Sequence, residues 1–274
     1  MSDPVQSRLD AARRLADVYR QLPTVDALFV AGSVARGTAD VGSDLEIDIL
    51  WREPPSDQDR RYAMDVTAAQ IDFIAAYEDD EWSERYYLNG LQVDISGFLT
   101  STVRQYINEV TGRCHPEAER QWLLAALQDG RPLSGDRLLR ELQERLIYPD
   151  ALARAVIAQG MDLEALWYYQ RLADRHDTIM LHQVLARAEL SLMTCLCGLN
   201  RLYLPHPDFK WARALVDRMT HVPHRLLPRL ESAFAVAPKQ GLRIFQRLAW
   251  ETVELIQEEW PDLVQRFLEI TPKQ

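Results

Sequence analysis

The chain has 274 residues, 47% hydrophobic and 26% charged, with 41 acidic residues against 31 basic ones and a formal net charge of −10. Such a chain builds a packed core and is long enough for one large domain or two ordinary ones. Its acidity argues against general nucleic-acid binding and favours cationic small molecules, and no run reaches the roughly 20 apolar residues of a membrane span.

Three cysteines, Cys114, Cys195 and Cys197, are an odd number without metal-ligand spacing, and they read as buried thiols. The N-terminus has no apolar-cored leader, so a cytoplasmic protein is expected. Ser2 or Asp3 followed by Pro4 marks a helix start, and Val5, Leu9, Ala12, Ala16 and Tyr19 recur at helical spacing until Pro23. A short apolar run from Asp26 to Ala31, bounded by Gly32, reads as a buried strand.

From Asp44 the period falls to two. Asp44, Glu46 and Asp48 share one face, and Leu45, Ile47 and Ile49 the other, until Pro54 and Pro55. A helix is predicted near residues 60–69 and a third strand over Ile71 to Tyr77. Asn89-Gly90 then joins two alternating runs, the strongest short hairpin signal in the chain. In its second arm Gln92, Asp94 and Ser96 share a face, so a further acid arrives on a neighbouring strand.

After Phe98 helical periods run to the C-terminus. The fold class expected is α+β: a small mixed sheet flanked by helices over residues 1–115, then an all-α helical bundle over 116–274.

A Gly-Ser turn between a strand and a short helix offers backbone N–H groups and a hydroxyl to phosphate oxygens. Taken alone, Gly32-Ser33 is as well explained by turn propensity. Carboxylates at i and i+2 on a strand project side by side, so Asp44 and Glu46 suit magnesium, although a solvated strand face has the same pattern. The conjunction of the turn, the acid pair a dozen residues later and Asp94 is more specific than any one of them. Two metal ions among these acids could serve an in-line phosphoryl displacement. Asp48 lies one pleat further along and reads as a solvated or structural acid.

The stretch GSVARGTADVGSDLEIDI, followed by VDI at residues 93–95, resembles the signature of the nucleotidyltransferases related to DNA polymerase beta. Within that superfamily the chain is most similar to kanamycin-type aminoglycoside nucleotidyltransferases and uncharacterised relatives, over roughly residues 28–98. The resemblance implies transfer of a nucleoside monophosphate from a nucleoside triphosphate, ATP first among them, to an acceptor hydroxyl with release of pyrophosphate. Gly32 and Ser33 would hold the triphosphate, with Arg36 and Ser43 inside the motif; for Arg36 a salt bridge bracing the turn is an equal alternative. Asp44 and Glu46 would ligate magnesium, and Asp94 would complete the metal site or help deprotonate the acceptor. The acceptor implied is a small, hydroxylated, aminoglycoside-like cation, with antibiotic resistance as the role, and such enzymes can work as homodimers.

Leu163 to Leu199 is long and mostly apolar, and Arg171, Arg175, His182 and Glu189 fall on one stripe if the helix is continuous. Glu189 is the candidate general base there, since kanamycin-type enzymes take their base from a helical-domain glutamate; structural salt bridges are the competing account. Beyond it Asn200, Arg201, Tyr203 and Lys210 resemble an arrangement in uncharacterised relatives, which implies a nucleotide or phosphate contact; for Lys210, one of three lysines in the chain, solvated surface is the competing account. Trp167, Tyr168, Tyr169, Trp211 and Trp250 read as core and helix packing. Two further functional readings stay open: nucleotidylation of a protein side chain or tRNA end, and a nucleotide-binding sensor without turnover.

Overall fold

A computed structural model describes residues 3–163, 165–175 and 177–271. The chain forms two compact units, one of residues up to Gly112 together with Leu123–Ile147, the other of Arg113–Trp122 and the residues from Tyr148 on. No helix among the described residues is long and apolar enough to cross a membrane.

The first unit opens with α1 (Pro4–Tyr19), whose N-cap Asp3 accepts a hydrogen bond from Val5 N–H at 3.0 Å, with Pro4 in the first turn as expected. Then follow β1 (Val25–Val30), α2 (Gly32–Arg36), β2 (Leu45–Trp51), α3 (Asp57–Thr67), β3 (Gln70–Ile74), β4 (Trp82–Leu88) and β5 (Leu91–Leu99). Asn89 and Gly90 both have positive φ and close the two-residue turn between β4 and β5. Helix α4 (Thr100–Ile107) runs into a π turn at Asn108–Gly112, followed by α5 (Ala118–Asp129), β6 (Arg131–Ser134) and α6 (Asp136–Glu144).

The six strands form one mixed sheet in the order β3-β4-β5-β2-β1-β6. Only β2 and β5 run parallel, in the register Glu46 opposite Asp94 and Asp48 opposite Ser96. One face of the sheet carries Leu28, Val30, Leu45, Ile47, Ile49, Val93 and Ile95 against Ala12, Leu15 and Ala16 of α1 and Met64 of α3. At the β1 end of the opposite face, Phe29 comes so near Gly130 that a Cβ there would lie 2.6 Å from its ring.

That approach and the pairing of β6 with β1 correct the single boundary expected at residue 115 and the purely helical character expected after it. β6 has four residues and a proline, which an edge strand tolerates and a sequence period cannot reveal.

The second unit is helical: α7 (Asp150–Gly160), α8 (Ala165–Tyr168), α9 (Gln170–Asp174), α10 (Thr178–Leu199), α11 (Ala212–Val216), α12 (Leu226–Ala235) and α13 (Pro238–Glu259), then a 3₁₀ turn and α14 (Gln265–Ile270). α10 packs along both α7 and α13. Cys195 and Cys197 are buried as expected, burial pushing the Cys195 thiol up to about 12, while Cys114 is only half-buried. Trp167, Phe267 and Trp250 stack edge to face at 5.5 and 5.2 Å. Tyr168 and Trp211 depart from the packing role expected of them, being 70% and 38% exposed.

Inside the sheet's helix-covered face lies an ion pair that amphipathic patterning does not announce. Arg60 of α3 and Glu84 of β4 are both buried and hydrogen-bonded to each other, and Arg60 also donates to the Ala75 carbonyl at 2.7 Å. Desolvation raises the Glu84 carboxyl even against the guanidinium beside it. Removing one partner strands a buried charge, so Glu84→Ala is expected to cost about 3–5 kcal/mol. Arg60→Met with Glu84→Leu is expected to lose less than that single change. Urea denaturation of the two variants decides it; a double variant as weak as Glu84→Ala would mean the pair itself carries the stability.

Candidate active site

β1 delivers the chain to the Gly32 turn, and β2 receives it on the same side: the Ala31 N–H donates to the Glu46 carbonyl at 3.0 Å. Gly32 sits at φ +61°, and a Cβ there would fall 2.1 Å from Oε2 of Glu46. Only glycine allows that conformation cheaply and leaves room for the carboxylate against the backbone. Helix α2 then turns once and stops at Gly37, with Ser33 and Val34 buried and Arg36 half-buried. Arg131 of β6 donates to the Ala35 carbonyl at 2.6 Å and holds the far end of the turn. The salt bridge considered for Arg36 is not formed among the described residues.

The loop to β2 is tied down by a residue that the sequence reading missed. Arg8, buried in α1, donates to the carbonyls of Ser43 at 2.7 Å, Val41 at 3.0 Å and Pro4 at 3.1 Å. Three carbonyl acceptors around one guanidinium fix where the loop hands over to Asp44. Within the loop, the Ser43 hydroxyl donates to Asp40 Oδ1 at 3.1 Å and accepts from the Asp40 N–H at 3.0 Å. Ser43 thus closes the loop, which competes with the phosphate contact expected of it.

The three acids of the β2 alternation divide into two half-buried and one buried. Asp44 lies just before the strand and is partly exposed, Glu46 is intermediate, and Asp48 is buried at 6% exposure. Burial, with Glu46 and Glu81 nearby, raises the Asp48 carboxyl well above the usual range. This corrects the solvated alternative considered for Asp48.

Asp94 stands beside Glu46 on the neighbouring parallel strand, where register partners project from the same face. Both its oxygens are engaged: Arg85 Nε donates to Oδ1 at 2.6 Å and Nη2 to Oδ2 at 3.2 Å, while Gln92 Nε2 donates to Oδ2 at 3.1 Å.

No group of three His, Cys, Asp or Glu residues among those described is gathered closely enough to hold a metal ion. Asp44, Glu46 and Asp94 bring hard carboxylate oxygens, the donor type that magnesium takes, to one edge of the sheet beside the Gly32 turn, but not as a gathered set. What departs from a ligand set is the engagement of Asp94 by Arg85.

In the helical unit the stripe drawn from Arg171 to Glu189 is broken. α9 ends at Asp174, and α10 starts afresh at Thr178 with Asp177 capping it by accepting from Met180 N–H at 3.3 Å. Arg171 and Arg175 precede the break and are exposed; His182 and Glu189 follow it, with His182 Nδ1 2.8 Å from the Thr178 carbonyl. Desolvation, and then Asp208, raises the Glu189 carboxyl to about 7.

Asn200 spends its amide on structure, donating to the Leu196 and His221 carbonyls and accepting from the Thr220 and His221 N–H groups, all within 2.8 Å. Arg201 pairs with Asp150 and Glu259, and Tyr203 is buried with its ring centroid 5.0 Å from that of Tyr148. Lys210 is exposed.

A family model described only as a domain of unknown function, DUF4037, matches residues 117–212. A nucleotidyltransferase-like protein from Exiguobacterium sibiricum 255-15 is similar in structure with a TM-score of 0.38 at 13% identity, over 95% of this chain and 78% of that one. No curated protein matches.

Two outcomes follow from this geometry. Gly32→Ala is expected to cost about 1–2 kcal/mol from its positive φ and more from displacing Glu46. In a Glu46→Ala background the second part should vanish, giving a coupling of about 1 kcal/mol by double-mutant cycle; additive costs would mean the carboxylate yields freely.

Because the folded carboxyl of Glu189 is raised, its contribution to stability is complete at acid pH and is lost as pH rises through about 7. Glu189→Gln should remove that slope, worth on the order of 1 kcal/mol after allowance for its partial exposure. Thermal melts between pH 5 and 8 would show parallel curves for the two proteins if the carboxyl were not raised.

Proposed function

We propose that this protein is a magnesium-dependent nucleotidyltransferase acting on a small hydroxylated acceptor, aminoglycoside-like in its positive charge. The observation that carries the reading is the pairing of Glu46 with Asp94 across adjacent parallel strands, with the Glu46 carboxylate lying over the open Cα of Gly32. Acids and an unobstructed glycine turn on one edge are what a metal-bound triphosphate needs from a protein. The net charge of −10 adds an attraction for cationic acceptors.

In the proposed reaction the acceptor's hydroxyl oxygen bonds to the α-phosphorus of the nucleoside triphosphate. The bond from that phosphorus to the bridging oxygen breaks, and pyrophosphate leaves with the electron pair. The backbone at Gly32 and Ser33 binds phosphate oxygens, with Arg36 beside them as a cation that no described group neutralises. Asp44 and Glu46 hold magnesium, with Asp94 as the third acid; the ion supplies neutralisation of phosphate charge. The acceptor proton passes to a carboxylate of the same edge, Asp94.

A specific observation favours a second reading, a nucleotide sensor without turnover: Asp94 is already occupied by Arg85. Incubation with labelled ATP, GTP, CTP or UTP, magnesium and a panel of aminoglycosides separates the two. The transferase reading expects pyrophosphate release with at least one pair and a loss of 100-fold or more in Asp44→Ala. Tight nucleotide binding with no release in either protein would establish the sensor.

A further inference from the structure

Three helices of the second unit, α8, α10 and α14, line a cavity of about 620 Å³ that lies wholly within that unit. Sites for drug-sized molecules have this size. The α10 wall is a single helical stripe, Val184, Arg187, Ala188 and Ser191, at i, i+3, i+4 and i+7. Two features of the lining have no structural use. Arg187 is exposed, and among the described residues its guanidinium has no hydrogen-bond or ion-pair partner. Tyr168 of α8 and Ile270 of α14 line the same cavity while 70% and 54% exposed. An edge-to-face contact with Tyr169 at 5.1 Å steadies the Tyr168 ring and leaves most of it in water.

We propose that this cavity binds a small planar aromatic carboxylate, its ring against Tyr168 and its carboxylate on Arg187. The wet tyrosine ring and the isoleucine beside the cavity gain from covering by a flat apolar body, and ring on ring adds to the area buried. The planar fork of a guanidinium takes both oxygens of a carboxylate by parallel hydrogen bonds, which fixes the orientation of the ring that carries it. Charge selects in the same direction. Among the described lining residues Arg187 and Arg266 stand against one acid, Asp162, in a chain whose net charge is −10. A cavity so lined disfavours the cationic acceptor proposed for the sheet edge, so it is a second site with a ligand of opposite sign. The inference goes beyond the nucleotidyltransferase reading and does not depend on it.

Isothermal titration calorimetry on the whole chain, without nucleotide or magnesium, tests this with three probes that share one ring system: naphthalene carboxylate, the neutral naphthalene carboxamide and the cationic naphthylmethylammonium. The carboxylate is expected to bind roughly tenfold tighter than the carboxamide, and the ammonium most weakly. Arg187→Gln should weaken the carboxylate by roughly tenfold and leave the carboxamide unchanged. Tyr168→Ala should weaken both by about fivefold. Arg187 and Tyr168 are exposed, so neither variant threatens the fold. No binding of the carboxylate at millimolar concentration overturns the proposal, and so does a carboxylate that binds no tighter than the carboxamide or that ignores Arg187→Gln. Binding of both that is indifferent to Tyr168→Ala overturns the placement of the ring. None of these outcomes bears on pyrophosphate release, which reports on the transfer reaction separately.

Discussion

The site edge of the first unit depends on one close contact, the Glu46 carboxylate over the backbone of Gly32. It requires a residue without a Cβ at positive φ, and it requires β2 to lie beside β1 so that the Ala31 N–H finds the Glu46 carbonyl. Once both hold, the turn into α2, the loop that follows and the acid face of β2 have little freedom left. Arg8 and Arg131 secure the two flanks by donating to carbonyls, so their charges are spent on backbone shape rather than on ligands.

The sheet places its polar groups asymmetrically. On the helix-covered face Arg60 neutralises Glu84 in a dry setting, where either charge alone would be costly. On the other face Arg85 spans both oxygens of Asp94, and burial raises the Asp48 carboxyl well above its usual range. A structural ion pair is balanced when the chain folds.

Much of this was legible in the sequence because local chemistry dictated it. The Asn-Gly turn needed two positive-φ residues, and the Asp44–Asp48 alternation had to share a face. The parallel pairing of β2 with β5 was not legible, since α3, β3 and β4 intervene and no local period records which strands become neighbours. Arg8, Arg60 and Glu84 escaped because charged residues in amphipathic segments look solvated until their partners are known. The broken stripe had a visible signal: Asp177, three residues before Met180, is an N-cap and should have been read as a fresh helix start. β6 offered none, being too short to show a period.

Burial along β2 bears on which of its acids the proposed metal could use. Magnesium parts with its water reluctantly and keeps several waters when bound, so it must sit where solvent reaches. Asp44 and Glu46 are both half-buried, whereas Asp48 is enclosed, and burial raises its carboxyl well above the usual range. The same alternation that makes three acids look equivalent in sequence thus divides once the chain folds, leaving Asp44 and Glu46 within reach of solvent and Asp48 out of it.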